Sequence, residues 1–551
     1  MSAAGDLTSV GRSRGHAGIR RWPPWLWATP LAIAVAYAIT LLVQLGRLVS
    51  ITYLDADAAS APVIGQLFGG NPHVRNVVLG QMAWYSTLAF ELATRWLPAH
   101  RQIWEAAPIA LALASVALVS WGAWRVAGRW AAMVTGVLMF CASPRTLALL
   151  LSLNDHATTW FSLAVLGAWL IALLRHGDEW RLAVLAALCL IVGIVLGVNA
   201  ASDSLLVAAG VVPFVIAVVG ATAIDGSWLR SRALAWTAGT LVVALAAGEL
   251  LLAWAHHENV VVSATLVHSR FALPATIDTN FSLWWQSIAV LANGDFFGLD
   301  LGFSSGLAVV CAVLAVGTVV YVPRLVWLRL RLDAAHREGA GDRAQTRPAL
   351  AAAWSLYWGA SLVVLSGAFI LSTNPIDINS DRYLVGVVYA AAALVGPLAS
   401  RPGLRRAFVV AATTIVAFAG LVGLLQKQVV DQTTGIPSDA LAGAVARAAA
   451  AEHVSVGYAG YWDAAPITWA THFRVRVFPL QPCPPNLCVA TYHQMSNWYA
   501  PRAERTFLLT DPALPLSTAP TPSLGAPVAT ISIGAAVMYV YPYDIGARVL
   551  P

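Results

Sequence analysis

Residues 25–59 read WLWATPLAIAVAYAITLLVQLGRLVSITYLDADAA. Positions 25–49 form a nearly unbroken apolar run, longer than the roughly 20 residues that a helical membrane span requires. The residues ahead of it, Met1 to Arg21, are polar and basic. The run is too long for the core of a signal peptide and no small-residue cleavage site follows, so it reads as a first span that stays. Immediately after it come Asp55 and Asp57. Carboxylates beside a bilayer are costly to desolvate, which makes this pair a candidate for chemistry. The stretch therefore sets both the fold class, a polytopic α-helical membrane protein, and the first place to look for a site.

The rest of the chain repeats the pattern. Of 551 residues, 58% are hydrophobic and 11% charged, against roughly 25% charged in soluble domains. Mean hydropathy is +0.69. Further apolar runs lie near 106–124, 131–152, 157–174, 182–198, 204–223, 233–254, 304–322, 350–372, 383–399 and 407–425, giving about eleven transmembrane helices. Arginines fall in alternate loops: Arg12 to Arg21, Arg125 and Arg129, Arg175 and Arg181, Arg230 and Arg232, Arg324 to Arg347, and Arg401 to Arg406. By the positive-inside rule these loops are cytoplasmic. The expectation is a multi-pass protein of the cell (inner) membrane. It comprises a cytoplasmic tail (1–24), a transmembrane module (25–425) with large outer loops at 50–107 and 255–303, and an extracytoplasmic C-terminal α/β domain (426–551). The net charge of +6 is spread over short loops rather than gathered in a patch, which speaks against nucleic acid. No phosphate-binding Gly-Lys-Ser/Thr loop, dinucleotide fingerprint or His-Glu-x-x-His sequence is present, so ATP-driven and zinc-protease readings lack support.

In the first outer loop, Asn76–Leu97 reads as a helix, either lying at the interface or packed as an ordinary loop helix. The second, His256–Phe303, reads as short helices and turns around Asn293. In the C-terminal segment Ser438 is a candidate N-cap for an Ala-rich helix reaching Glu452. His472–Val477, Phe507–Leu509 and Val537–Tyr541 read as strands, and Gly457–Gly460 as a turn. Cys483 and Cys488 are placed to close a short disulfide loop in an oxidising compartment. A metal site is the alternative, though no second cysteine pair accompanies them. Cys141, Cys189 and Cys311 lie in apolar runs and read as core residues.

Three polar constellations stand at predicted outer ends of spans. Asp55 and Asp57 share a face only in extended or turned backbone; alternatively one of them caps the following helix or is simply solvated. Asn154-Asp155-His156 sits between two spans, where a polar hairpin tip is the plain alternative. Asn379-Ser380-Asp381-Arg382-Tyr383-Leu384 opens a late span, and its guanidinium offers a planar donor fork suited to phosphate. Arg270 and His268 are weaker phosphate candidates. His256, His257 and Glu258 form a further polar cluster, hydrated or metal-binding. Asp203 falls at a helix end, and Glu249 inside a span, where it would pair within the bundle or line a path.

Together, an inner N-terminus, an acidic pair directly after the first span, a long first outer loop, many spans and an outer C-terminal domain resemble the GT-C class of membrane glycosyltransferases. This class uses polyprenyl-phosphate sugars and includes bacterial mannosyl- and arabinosyltransferases and the lipid A aminoarabinose transferase. The resemblance implies inverting transfer of a hexosyl or pentosyl group to a glycan, glycolipid or protein acceptor of the cell envelope. It implies Asp55 and Asp57 as catalytic carboxylates, with Asp155 and His156 orienting acceptor or cation. Arg382, Tyr383 and Arg270 would bind the donor phosphate. No cofactor is required with certainty; a divalent cation (Mg or Mn) is compatible with Asp55, Asp57 and Asp155. A transporter or lipid flippase, and a non-catalytic envelope-assembly protein on the same scaffold, are the competing readings. The former predicts an internal repeat and interrupted half-helices.

Overall fold

Away from water, backbone amides must be satisfied within their own segment, so the apolar runs fold as helices. The computed structural model describes residues 25–67, 77–79, 85–176, 180–225, 232–262, 270–335, 346–400, 404–426, 439–491, 493–514 and 517–549. In order, the bundle contains α1 (Trp25–Thr52), α2 (Ala56–Leu67), β1 (Val77–Leu79), α3 (Tyr85–Thr94), α4 (His100–Ala127), α5 (Arg129–Phe140) and α6 (Pro144–Leu150). It continues with α7 (Thr158–His176), α8 (Leu182–Ser202), α9 (Val212–Asp225), α10 (Arg232–His257), β2 (Val260–Val262), α11 (Pro274–Leu291), α12 (Phe303–Ala335), α13 (Thr346–Leu371), α14 (Val385–Val395) and α15 (Leu404–Leu425). Among the described residues nine helices are long and apolar enough to cross a membrane.

Two expected spans are irregular. The run 131–152 is a pair of helices, α5 and α6, bent by 86°. The bend is built locally: Ser143 accepts from the Thr146 amide and Pro144 opens α6, a favourable helix start. The run 204–223 begins with a π-helical turn, Val207–Val211, and yields only a short apolar helix, Val207–Ala223.

Helices α8 and α10 approach through glycine. A Cβ on Gly197 would strike the backbone of Ala244, and one on Gly248 would lie 3.1 Å from the Gly197 carbonyl oxygen. Gly193 and Gly197 are four residues apart on one face of α8, the small-residue spacing that lets helices pack closely in lipid. Elsewhere the core is aromatic. Trp354 donates to the Ala393 carbonyl at 2.8 Å and Tyr357 to that of Leu163 at 2.7 Å, tying α13 to α14 and α7. Val35, Ile39, Leu42 and Val43 of α1 and Val242, Leu245 and Leu250 of α10 are exposed, as expected of helices solvated by lipid. Glu249 lies on that exposed face rather than inside the bundle.

The C-terminal unit comprises α16 (Asp439–Ala451), β3 (Val456–Gly460), α17 (Tyr461–Ala470), β4 (Arg476–Cys483), β5 (Asn486–Val489), β6 (Gln494–Met495), β7 (Thr506–Thr510), β8 (Ala529–Ile533) and β9 (Ala536–Tyr541). Its main sheet has the order β5-β4-β3-β7-β9-β8. The central β3 runs parallel to both β4 and β7. Cys483 and Cys488 are disulfide-bonded across the β4–β5 turn. A second sheet, β2-β1-β6, joins the segment after α2, the segment after α10 and the C-terminal unit.

Several local expectations are corrected. Gly457–Gly460 is not a turn but the fully buried β3. Glycine is needed at 457 because a side chain there would enter the Phe507 ring. The strand expected from His472 starts at Arg476; His472 and Phe473 instead adopt left-handed backbone, with φ of 53° and 59°. The expected interfacial helix 76–97 is divided between β1 and the shorter α3, whose Tyr85, Thr87, Leu88 and Glu91 are buried. Among its described residues the segment His256–Phe303 holds one long helix, α11, rather than short ones. Asn280 anchors it by donating to the Ser372 carbonyl at 2.7 Å and the Ile370 carbonyl at 3.1 Å, at the end of α13. The Ser438 cap lies outside the described residues.

Candidate functional site

The acidic pair is not extended. Asp55 follows the last turn of α1, and its Oδ1 accepts from the amides of Asp57 at 2.7 Å and Ala58 at 3.3 Å. It is thus the N-cap of α2, where a carboxylate also meets the positive end of the helix dipole. Asp57 occupies the first turn of α2 and looks elsewhere. Its Oδ1 accepts from the Tyr461 hydroxyl, and its Oδ2 lies 3.9 Å from Arg382 Nη1. Both side chains of that pair are about a quarter exposed, 26% for Asp57 and 24% for Arg382.

Arg382 projects from a 3-10 segment, Ile378–Leu384, that leads into α14. This segment is fixed at its start by Asp377, which accepts from the Asn379 amide at 3.0 Å. It is fixed in its middle by Asp381, fully buried and held by Arg145 of α6 through two hydrogen bonds, 2.7 Å from Nε and 2.8 Å from Nη2. The fork-to-fork geometry is the strong form of a carboxylate–guanidinium pair. Sequence reading missed Arg145; its signal was a lone arginine in the apolar run 131–152, which the bend of α5 and α6 brings to the bundle end.

From Arg382 the contacts continue inward. The guanidinium lies 5.4 Å from the centre of the Tyr383 ring. That ring meets the His156 imidazole edge-on at 5.1 Å. His156 adopts φ 67° on the π-helical turn Leu153–Ala157. Its Nδ1 is 2.5 Å from Asp203 Oδ2, which also accepts from the Thr159 hydroxyl. Its Nε2 is buried and has no hydrogen-bond partner among the described residues. Asp203 is the C-cap residue of α8, so the expected helix-end acid belongs to this site. The side chain of Asp155 lies outside the described residues, as do Asn154's side chain and His268.

On the other flank Tyr461 stacks on His493, with ring centres 5.6 Å apart. A small cleft behind them is lined by Ser60 and Val63 of α2 and by Tyr461, His493 and Trp498. Burial pushes the Tyr461 hydroxyl well above its ordinary value, and the charge of Asp57 adds to this. Burial also lowers His493 to about 4, although Asp57 pulls the other way. Both rings are therefore neutral near pH 7, and Tyr461 can donate its proton to Asp57 without losing it.

The structure thus brings Asp57, Arg382, Tyr383, His156 and Asp203 together with Tyr461 at the end of the bundle that carries the C-terminal unit. Asp55 lies beside them in its capping role. Arg270 stands apart: it is exposed and paired through its backbone with Thr373. His256 and His257 are exposed, and His257 lies 3.9 Å from Glu258. Among the described residues, no three His, Cys, Asp or Glu side chains gather to hold a metal ion.

No family model matches the chain, and no curated protein matches it. Among solved structures it is similar to the crystal structure of ArnT from Cupriavidus metallidurans in the apo state, with a TM-score of 0.42 and 12% identity over 93% of this chain and 99% of that one. A likeness at that level leaves the functional reading to the site's own geometry.

Proposed function

We propose that this chain is an integral membrane glycosyltransferase of the GT-C class, moving a sugar from a polyprenyl-phosphate donor to a hydroxyl of a cell-envelope acceptor. The observation that carries the reading is the meeting of Asp57 and Arg382 at the bundle end, beside the Asp55 cap. Their 3.9 Å separation contrasts with the bidentate Arg145–Asp381 pair. Arg145 is engaged by Asp381 deep in the bundle end, whereas Arg382 and Asp57 each remain about a quarter exposed. A guanidinium beside carboxylates at a bilayer surface suits a reaction in which a hydroxyl loses a proton and a phosphate gains charge.

In this reading the acceptor hydroxyl attacks the anomeric carbon and inverts it. Asp55 takes the hydroxyl proton; the acceptor must come within about 3 Å of its carboxylate. The bond from the anomeric carbon to the phosphate oxygen breaks, and Arg382, braced on Tyr383, stabilises the charge left on the lipid phosphate. His156, oriented by Asp203, and Asp155 position the acceptor, while the exposed Arg270 attracts the donor headgroup. A divalent cation does not suit Asp57, because one oxygen already accepts from Tyr461 and the other faces a fixed positive charge. The arginine pattern supports an extracytoplasmic site, which fits a donor that reaches the outer leaflet on a lipid.

The test is transfer of radiolabelled hexose and pentose from polyprenyl phosphate by the protein in nanodiscs, with envelope glycans, glycolipids and peptides as acceptors. Asp55→Asn should fold and lose transfer. Arg382→Lys, which keeps the charge but not the fork, should lower turnover at least tenfold. Wild-type protein that leaves every such donor intact defeats the proposal, and full activity in Asp55→Asn removes Asp55 from the base role.

A further inference from the structure

The C-terminal unit reaches the carboxylate of Asp57 through the Tyr461 hydroxyl. Tyr461 is the first residue of α17, directly after Gly460 ends β3. From β3 the chain crosses to β4 on one side, whereas β7, on the other side of β3, continues towards β9 and β8. The carboxyl ends of β3 and β7 therefore flank a topological switch point, the place where α/β sheets gather functional groups. Here that edge docks on α2 instead of opening to solvent. Tyr461 is 3% exposed, its hydroxyl donates to Asp57 Oδ1, and the Ser60 hydroxyl also hydrogen-bonds the Tyr461 hydroxyl. Its ring is held by His493 on one side and Trp462 at 5.2 Å on another. His493 precedes β6, which pairs with β1 of the first outer segment. A clamped ring of this kind presents its hydroxyl in a single place.

We infer that Tyr461 is a positioning residue: it holds Asp57 by Oδ1 so that Oδ2 faces Arg382, and it thereby makes the carboxylate site depend on the docked C-terminal unit. The rate predictions below rest on the transfer reading; the spectroscopic one does not. Among the described residues, the other charged or titratable groups near Asp57 include Asp55 on its own turn, Arg382 and His493, and the turn that carries His156 packs against α2. All of them remain in the variants used.

The experiment compares wild type, Tyr461→Phe and Asp57→Asn in the full-length protein in nanodiscs, together with protein carrying 3-fluorotyrosine in place of tyrosine. Tyr461→Phe should lower kcat roughly tenfold with the donor KM within about twofold. Fluorotyrosine, which keeps the donor, should retain the rate. In an Asp57→Asn background Tyr461→Phe should cost nothing more. Independently of turnover, the infrared carboxylate stretch that Asp57→Asn abolishes should change frequency in Tyr461→Phe, because the hydrogen bond to that carboxylate is gone. If wild type transfers no sugar, the proposed function fails while the infrared band still decides this inference. An unshifted band, or an equal loss of kcat with and without Asp57, overturns it. Should Tyr461→Phe fail to fold, the fluorotyrosine protein decides through the same band: its stronger hydrogen-bond donor should shift the stretch, and no shift refutes the role.

Discussion

Asp463 lies in the first turn of α17, two residues beyond Tyr461, and is 1% exposed. Its Oδ1 is buried with no hydrogen-bond partner among the described residues. Burial raises this carboxyl from 3.8 to about 7, with the charge of Asp511 at the end of β7 adding to the effect. A folded value above the unfolded one means that the native state retains a proton the unfolded chain gives up. Stability is then fully present below the unfolded value and is lost as pH rises through the folded one. At roughly 1.4 kcal/mol per pH unit, the rise costs the C-terminal unit about 4 kcal/mol above pH 7 and only ~1–2 kcal/mol at pH 5. Asp463→Asn cannot ionise and should be free of this loss. In thermal unfolding of the full-length protein, followed by tryptophan fluorescence, the variant should gain on wild type by about 2–3 kcal/mol between about pH 5 and about pH 8. For a unit of this size that is roughly 10 °C of midpoint. The acid-side loss from protonating His493 is common to both proteins and cancels. Parallel pH dependence in the two would refute the assignment of a protonated Asp463 to the fold.

Two further substitutions probe what fixes the site. Arg145→Gln should leave Asp381 buried with a charge and no counter-ion, at a cost of about 3–5 kcal/mol; it should also release the segment carrying Arg382, so that thermal midpoint and transfer fall together. An unchanged midpoint would mean that the pair does not hold that segment. Gly197→Val should force α8 and α10 apart and destabilise the bundle by at least ~1–3 kcal/mol, as overpacking does. Because the contact lies away from Asp57 and Arg382, turnover per folded molecule should change little. Normal stability on a detergent-denaturation curve would contradict the close approach.

Much of this architecture could be read from residue order, because its causes are local. A helix in lipid satisfies its amides within one segment, so the apolar runs announced themselves without knowledge of their neighbours. Phe507–Leu509 and Val537–Tyr541 were legible as strands through their composition, and they fall within β7 and β9. Local pattern misled where context overrode it. Gly457–Gly460 carries turn residues, yet it is the central strand because the Phe507 ring fills the space that a side chain would need. The run 131–152 looks like one span, and only the Ser143 cap and the 86° bend place Arg145 against Asp381. Asp55 and Asp57 are adjacent in sequence and similar in kind, but the helix start between them sends one to a cap and the other to Arg382.

The sequence by itself determined a bundle of membrane helices and a C-terminal α/β unit. Those properties follow from hydropathy, charge placement and short-range backbone hydrogen bonding. Tertiary structure alone decided which polar groups meet. Asp57 and Tyr461 are 404 residues apart, Arg145 and Asp381 236, and His156 and Asp203 47. Such contacts depend on how helices and sheet pack, and packing is a property of surfaces assembled from distant segments.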